Sequence, residues 1–304
     1  MKAIAVNTYV VDVGSFRPVV VEILTDEGIS GVGEGAVGFG IGCNAAAAMI
    51  KELAERFVVG KDVGGILSIW NDFYYDTFWG KGAGAIFYAA VSALEQALWD
   101  IKGQALGVPV YELLGGKQRE VIPIYANGWS EGKCICPEDF AERAAAVAEQ
   151  GFSAMKMYPM SQIDPIRHLN KHIKNREVTK KVFDCAVRAV ELVRQTLGAE
   201  RELLVDVTAE GTTDMMWRFG QAIEPYNIFW YEEAMDAFDV DAYRTIRDKV
   251  NIPLATGERL YTRYGFRRLL ESRAVDVVQP DPGTCGGIME AFHIGAAAET
   301  YSAR

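Results

Sequence analysis

The chain has 304 residues, 50 % of them apolar and 24 % charged, with a formal net charge of −10. That is enough chain for a large core and for two domains, while the acid excess argues against nucleic acid, whose phosphates need a basic face. No run of about 18 apolar residues occurs, which excludes a membrane-spanning helix, and an anionic substrate must be drawn in locally, by a metal or by Lys and Arg.

In chain order, residues 1–34 read as a strand meander with Asp26-Glu27-Gly28 as a hairpin turn. The opening MKAIAVNTYVVDV alternates as a strand does and lacks the apolar stretch and cleavage site of a signal peptide, so a cytoplasmic protein is expected. Five scattered cysteines, Cys43, Cys134, Cys136, Cys185 and Cys285, fit reduced thiols there, and Cys134 and Cys136 stand too close for a usual zinc pair. Residues 44–58 and 84–106 have helical patterning. Trp70, Phe73, Tyr74, Phe78 and Trp79 form an aromatic cluster suited to a core or domain interface, or alternatively to a substrate wall.

From residue 121 a βα rhythm begins. Strands are predicted at 122–127, 154–158, 203–208, 228–233, 253–257 and 275–280. Helices follow at 137–150, 179–197, 213–224, 239–249, 263–272 and 287–302, and Pro137-Glu138-Asp139 suits a first helical turn. The polar stretch 160–178 reads as a long loop or lid. The pattern predicts an α/β protein: an N-terminal α+β domain over 1–120, then a TIM-like (β/α) barrel over 121–304. Six units are visible where a barrel needs eight. A six-stranded open barrel leaves unpaired edges, so two further units are expected beyond residue 304.

Three acids close apolar runs at equal spacing: Asp206 in LLVD, Glu232 in IFWYE and Glu258 in PLATGE, 26 residues apart each time. That spacing is one βα unit, so the three carboxylates fall at the C-terminal ends of consecutive parallel strands, the face where barrel enzymes keep their chemistry. Converging carboxylates repel unless a cation joins them, and all-oxygen ligation suits Mg²⁺. A single strand-end acid would more simply cap the next helix.

Two stretches, ALWDIKGQALGVPVYELLGG from Ala97 to Gly116 and ATGERLYTRYGFRRLLESRAVDVVQPD from Ala255 to Asp281, give the chain a family likeness. It resembles the enolase superfamily, and within it the mandelate racemase-like acid-sugar dehydratases nearest to galactonate dehydratase. The resemblance implies a Mg²⁺-dependent lyase, working as a homo-oligomer on a small sugar acid. It would abstract the α-proton beside the carboxylate through a metal-stabilised enediolate, then lose the β-hydroxyl to give a 2-keto-3-deoxy acid. A racemase or epimerase, or a non-catalytic ligand-binding relative, is the alternative.

The likeness also points to the base. The family often carries Lys-x-Lys on its second strand. Here Met155-Lys156-Met157-Tyr158 keeps Lys156 and puts Tyr158 where the second Lys would be, both on one face of a strand. Lys156 suits pairing with a substrate carboxylate, or bonding a barrel carboxylate. Tyr158 needs a nearby cation to act as a base. The resemblance implies a His two residues after the first ligand, yet Thr208 stands there, and a second His would lie past residue 304. His168, His172 and His293 read as structural or solvated. Asn127 and Trp129 at the first strand, Thr208, Arg259 and Asp281 are candidate substrate contacts, each equally suited to a cap or core role.

Overall fold

The computed structural model describes residues 1–14, 16–131, 134–162 and 179–304. His168, His172 and most of the expected lid at 160–178 lie outside them. Two compact units emerge: the first holds Met1–Glu120, Gly257–Arg267 and Pro280–Ala297, the second Val121–Thr256, Arg268–Gln279 and Ala298–Arg304.

In the first unit β1 (Ala3–Val10), β2 (Val19–Thr25) and β3 (Ser30–Gly35) form an antiparallel sheet in that order. Alternation in β2 buries Val19, Val21 and Ile23 completely. The expected turn after β2 is present, with Gly28 at φ 81° and its N–H donating to the Thr25 carbonyl at 3.2 Å. Helix α1 (Cys43–Phe57) and the long apolar α3 (Ala85–Leu106) cover the sheet. Between them α2 (Ile66–Asn71) runs into one π-helical turn, and α4 (Val110–Leu113) follows α3.

Close packing of α3 on β3 has a sequence cause. Gly31 and Gly33 repeat at the strand period of two, while Ala93 and Ala97 repeat at the helical step of four. A Cβ on Gly31 would collide with the Ala97 carbonyl oxygen, and one on Gly33 with that of Ala93. Glycines therefore let the helix backbone lie directly on the strand. The expected aromatic cluster divides: Trp70 and Phe73 are core, while Phe78 and Trp79 are 79 % and 75 % exposed.

Later residues join this unit through polar contacts. Trp70 donates its indole N–H to the Gly286 carbonyl at 2.9 Å, and Gly286 N–H donates to Ser92 Oγ at 3.0 Å. Buried Glu95 accepts from the N–H groups of Ile288 (2.7 Å) and Met289 (3.0 Å) and from Trp99 Nε1 (2.7 Å). A carboxylate from α3 thus caps the first turn of α11 (Ile288–Thr300).

The second unit is built on a five-stranded parallel sheet in sequence order: β4 (Ala154–Met157), β5 (Glu202–Asp206), β6 (Ile228–Glu232), β7 (Leu254–Thr256) and β8 (Val277–Val278). Helices α5 (Pro137–Ala148), α6 (Pro159–Gln162), α7 (Lys180–Leu197), α8 (Thr213–Ile223), α9 (Val240–Arg247) and α10 (Thr262–Glu271) alternate with the strands. Their starts are chemically marked. Thr179, Thr212 and Asp239 accept N–H bonds as caps of α7, α8 and α9, and Asp139 accepts from Ile135 and Cys136 at the head of α5. Strand followed by helix around a parallel sheet is the barrel architecture, open among the described residues.

Two strand expectations need correction. The segment 122–127 is not a strand: only Ala126 bridges Met155, donating to the Ala154 carbonyl and accepting from Lys156 N–H, both at 2.9 Å. Pro123 has no N–H for a ladder, and Val121, Ile122 and Ile124 are exposed. The last strand shrinks from 275–280 to Val277–Val278, and its outer edge is not bare. Val278 N–H donates to the Arg304 carbonyl and Arg304 N–H to the Asp276 carbonyl, both at 2.8 Å.

Candidate metal and active site

The centre of the second unit is a buried charge cluster at the C-terminal ends of β4, β5 and β6. Register creates it: Asp206 and Glu232 are direct partners across the parallel β5–β6 pair, both at the last position of their strands. Lys156 reaches them from β4. Its Nζ lies 2.5 Å from Glu232 Oε1 and 3.2 Å from Asp206 Oδ2. All three side chains are buried. Of the two sequence readings of Lys156, the bond to a barrel carboxylate is the one present.

Each carboxylate spends its other oxygen on a neutral N–H. The Thr208 amide donates to Asp206 Oδ1 at 2.8 Å, and the Trp230 indole donates to Glu232 Oε2 at 2.8 Å. Trp230 sits two residues before Glu232, hence on the same strand face. Aromatic walls surround the ammonium: Nζ lies 5.3 Å from the Tyr158 ring centre and 5.8 Å from that of Tyr125, and Tyr125 meets Trp230 edge-on at 5.6 Å.

Burial sets the electrostatics. It raises the Asp206 carboxyl above the ordinary carboxylate range, and neighbouring Glu232 pushes it the same way, against Lys156 and the Thr208 amide. Burial pulls Lys156 down, but Glu232 and Asp206 outweigh it and hold Nζ as an ammonium. Tyr158 is pushed up to about 12, again chiefly by burial and despite the opposing Lys156. At neutral pH its phenol is therefore a proton donor, and it donates to Asn127 Oδ1 at 3.0 Å.

The donor set fits a hard divalent cation. Two carboxylate oxygens converge on one point that a positive charge already occupies, an all-oxygen donor pair of the kind a hard cation takes. Among the described residues no three His, Cys, Asp or Glu side chains stand together in a metal-holding group. Glu258 lies in the turn after β7 with an exposed side chain, and it belongs to the first compact unit together with Arg259 and Asp281. Asp281 Oδ1 accepts from Gly283 N–H at 2.7 Å and closes a turn. Trp129 packs edge-on against Phe140 of α5 at 6.4 Å and is 7 % exposed, which gives it a core contact. Asn127 is exposed beside Tyr158. Thr208 is exposed and lends its amide rather than its hydroxyl to Asp206. It follows β5 at φ 49°, as Glu233 follows β6 at φ 49°, so the chain turns sharply at both strand ends. Glu233 accepts from the Thr256 hydroxyl and its carbonyl accepts from Ala209 N–H at 2.7 Å.

Trp230 and Tyr125 are the site residues that sequence reasoning missed. The two-residue step from Trp230 to Glu232 was the available signal. Nothing in the sequence marks Tyr125.

Known proteins share this fold. Residues 3–115 match the mandelate racemase/muconate lactonizing enzyme N-terminal domain, and residues 139–304 match the enolase C-terminal domain-like family. A D-galactonate dehydratase from Variovorax paradoxus is 34 % identical over 99 % of this chain and 73 % of its own length. The solved structure of a candidate dehydratase from Mesorhizobium loti has a TM-score of 0.94 at 44 % identity, covering 100 % of this chain and 78 % of that one. The 3,6-anhydro-D-galactonate cycloisomerase of Zobellia galactanivorans has a TM-score of 0.83 at 26 % identity, covering 100 % and 78 %. The chain belongs to the mandelate racemase/muconate lactonizing enzyme family of the enolase superfamily. Its dehydratase relatives are carbon–oxygen lyases.

Proposed function

We propose that the chain is a Mg²⁺-dependent dehydratase of a sugar acid of the galactonate type, with residues 1–120 as capping domain and 121–304 as barrel domain. The observation that carries this reading is the buried Lys156–Asp206–Glu232 cluster at adjacent parallel strand ends. Kinship with the D-galactonate dehydratase of Variovorax paradoxus supports the substrate class. Asp206 and Glu232 would hold the cation, with Glu258 as third ligand. Bound there, Mg²⁺ would supply the positive charge that acidifies the proton beside the substrate carboxylate.

The net reaction removes the C2 hydrogen and the C3 hydroxyl as one water. The enol left behind tautomerises to a 2-keto-3-deoxy acid. Tyr158, neutral, would give its phenol proton to the departing hydroxyl once that proton has left Asn127 Oδ1. Lys156 is an ammonium while it bridges the carboxylates, so it could accept the C2 proton only after leaving them and releasing its own extra proton to solvent. Thr208 offers a hydroxyl to the sugar, and Asn127 and Arg259 are the further substrate contacts of this reading, while Trp129 keeps its core contact and Asp281 its turn. A homo-oligomer in the cytoplasm completes it.

A second reading, isomerisation of a sugar acid, has one observation in its favour, the likeness to the Zobellia cycloisomerase. A panel of aldonic acids incubated with the protein and Mg²⁺, then assayed for 2-keto acid, tests the first. Keto acid from at least one substrate is expected. Exchange of the C2 hydrogen without keto acid would select the isomerase, and neither outcome with any sugar acid would end both readings.

A further inference from the structure

Each carboxylate of the central pair has one oxygen fixed by an N–H that cannot move far. The Thr208 amide holds Asp206 Oδ1, and the Trp230 indole holds Glu232 Oε2, both at 2.8 Å. Those bonds set the rotation of both carboxylates and leave Asp206 Oδ2 and Glu232 Oε1 to converge. Lys156 Nζ fills the point of convergence, at 3.2 Å and 2.5 Å. Trp230 is itself braced by Tyr125, whose ring also faces the ammonium.

We propose that Lys156 is the resident counter-ion of the cation site: its ammonium and a divalent cation compete for the same two oxygens, while Trp230 is the positioning residue that aims Glu232 at that point. The inference rests on the reading that Asp206 and Glu232 hold the cation. Its physical basis is that two buried carboxylates must have a partner. Without Lys156 or a metal they face each other unscreened. With Lys156 in place the site stays assembled, and an arriving cation must first displace a charge already bonded to both ligands. Lys156 therefore stabilises the metal-free protein and weakens cation binding. A salt bridge that only held the strands together would have the first effect without the second.

Calorimetric titration with Mg²⁺ tests this on four proteins: wild type, Lys156→Met, Trp230→Phe and, as a control on the ligand assignment, Asp206→Asn. Lys156→Met should bind Mg²⁺ at least about tenfold tighter, a floor well below the roughly thousandfold of one close charge pair at an effective dielectric near 20. Its metal-free unfolding midpoint should fall and recover in Mg²⁺. Trp230→Phe should bind about tenfold more weakly, the low end for loss of an outer-shell partner, with its metal-free midpoint little changed.

Equal or weaker binding by Lys156→Met overturns the proposal, and if Asp206→Asn has lost its site the metal reading survives that result. Binding by Asp206→Asn as strong as wild type removes the metal reading and the proposal with it. Mg²⁺ bound by Lys156→Met but not by wild type supports the competition, and no binding by either ends both. Should Lys156→Met and Lys156→Gln fold only in Mg²⁺, the cation has replaced the ammonium as proposed. Should both stay unfolded at every Mg²⁺ concentration, it has not, and the proposal fails. Unchanged affinity in Trp230→Phe overturns the positioning role.

Discussion

Asp206 faces Glu232 directly across β5 and β6, and the two carboxylates share one ammonium. A parallel register therefore does at this site what a loop would do less rigidly. Both acids end their strands, so their backbones are held by the ladder while their side chains emerge at the sheet's C-terminal edge. The 26-residue spacing in the sequence is the covalent shadow of that register.

Glu258 continues the same spacing, and the function proposed above makes it the third ligand. Glu258→Gln should weaken Mg²⁺ binding by about tenfold or more, because a neutral amide oxygen replaces one of three anionic donors. Calorimetry reads this directly. Unaltered affinity would remove Glu258 from the ligand set and leave Asp206 and Glu232 in it.

Glu95 gives the fold a dependence on pH. Burial pushes its carboxyl up from 4.5 to about 7, against the N–H groups of Met289, Ile288 and Trp99 that favour the anion. A folded value above the unfolded one means that the native state binds the proton more tightly. Its contribution is fully present below about pH 4.5 and is lost as pH rises to about 7, a change of about 3 kcal/mol at 1.36 kcal/mol per unit. Glu95→Gln cannot ionise. Urea unfolding of both proteins from pH 5 to pH 8 should show wild type losing stability relative to the variant as pH rises. Parallel curves would show that Glu95 does not titrate in that window.

Gly33 is where α3 lies on β3. Gly33→Ala puts a methyl against the Ala93 carbonyl oxygen, an overpacking that costs about 1–3 kcal/mol. Denaturant unfolding should show a loss of that size. A loss below about 0.5 kcal/mol would mean that the helix shifts freely off the strand.

The sequence made helices and central strands legible because both have strong local signals. Predicted 179–197 corresponds to Lys180–Leu197, and predicted 213–224 to Thr213–Ile223, each started by a threonine whose hydroxyl accepts an N–H. The predicted strand at 203–208 is Glu202–Asp206, shortened because Thr208 and Ala209 turn to positive φ after the acid. Segment 122–127 failed because apolar content alone made it look like a strand, while Pro123 interrupts the donors. At the site, Lys156 was placed on the right strand face, since period two is local. Its partner was not fixed, because that depends on how β4, β5 and β6 align. Trp230 carries no motif of its own; only its two-residue step to Glu232 sets it on the same strand face. Glu95 was illegible for a different reason: its N–H donors at Ile288 and Met289 are more than 190 residues away along the chain.

Acid-sugar dehydration is proposed to occur at the Asp206–Glu232 pair. Proton NMR of a galactonate-type acid in D₂O with Mg²⁺, comparing wild type with Asp206→Asn, tests it most directly. Wild type should remove the C2 proton signal and yield a 2-keto-3-deoxy acid carrying solvent deuterium at C3, while the variant should leave the acid unchanged. Equal product from the two proteins, or a sugar acid that wild type leaves intact, would contradict it.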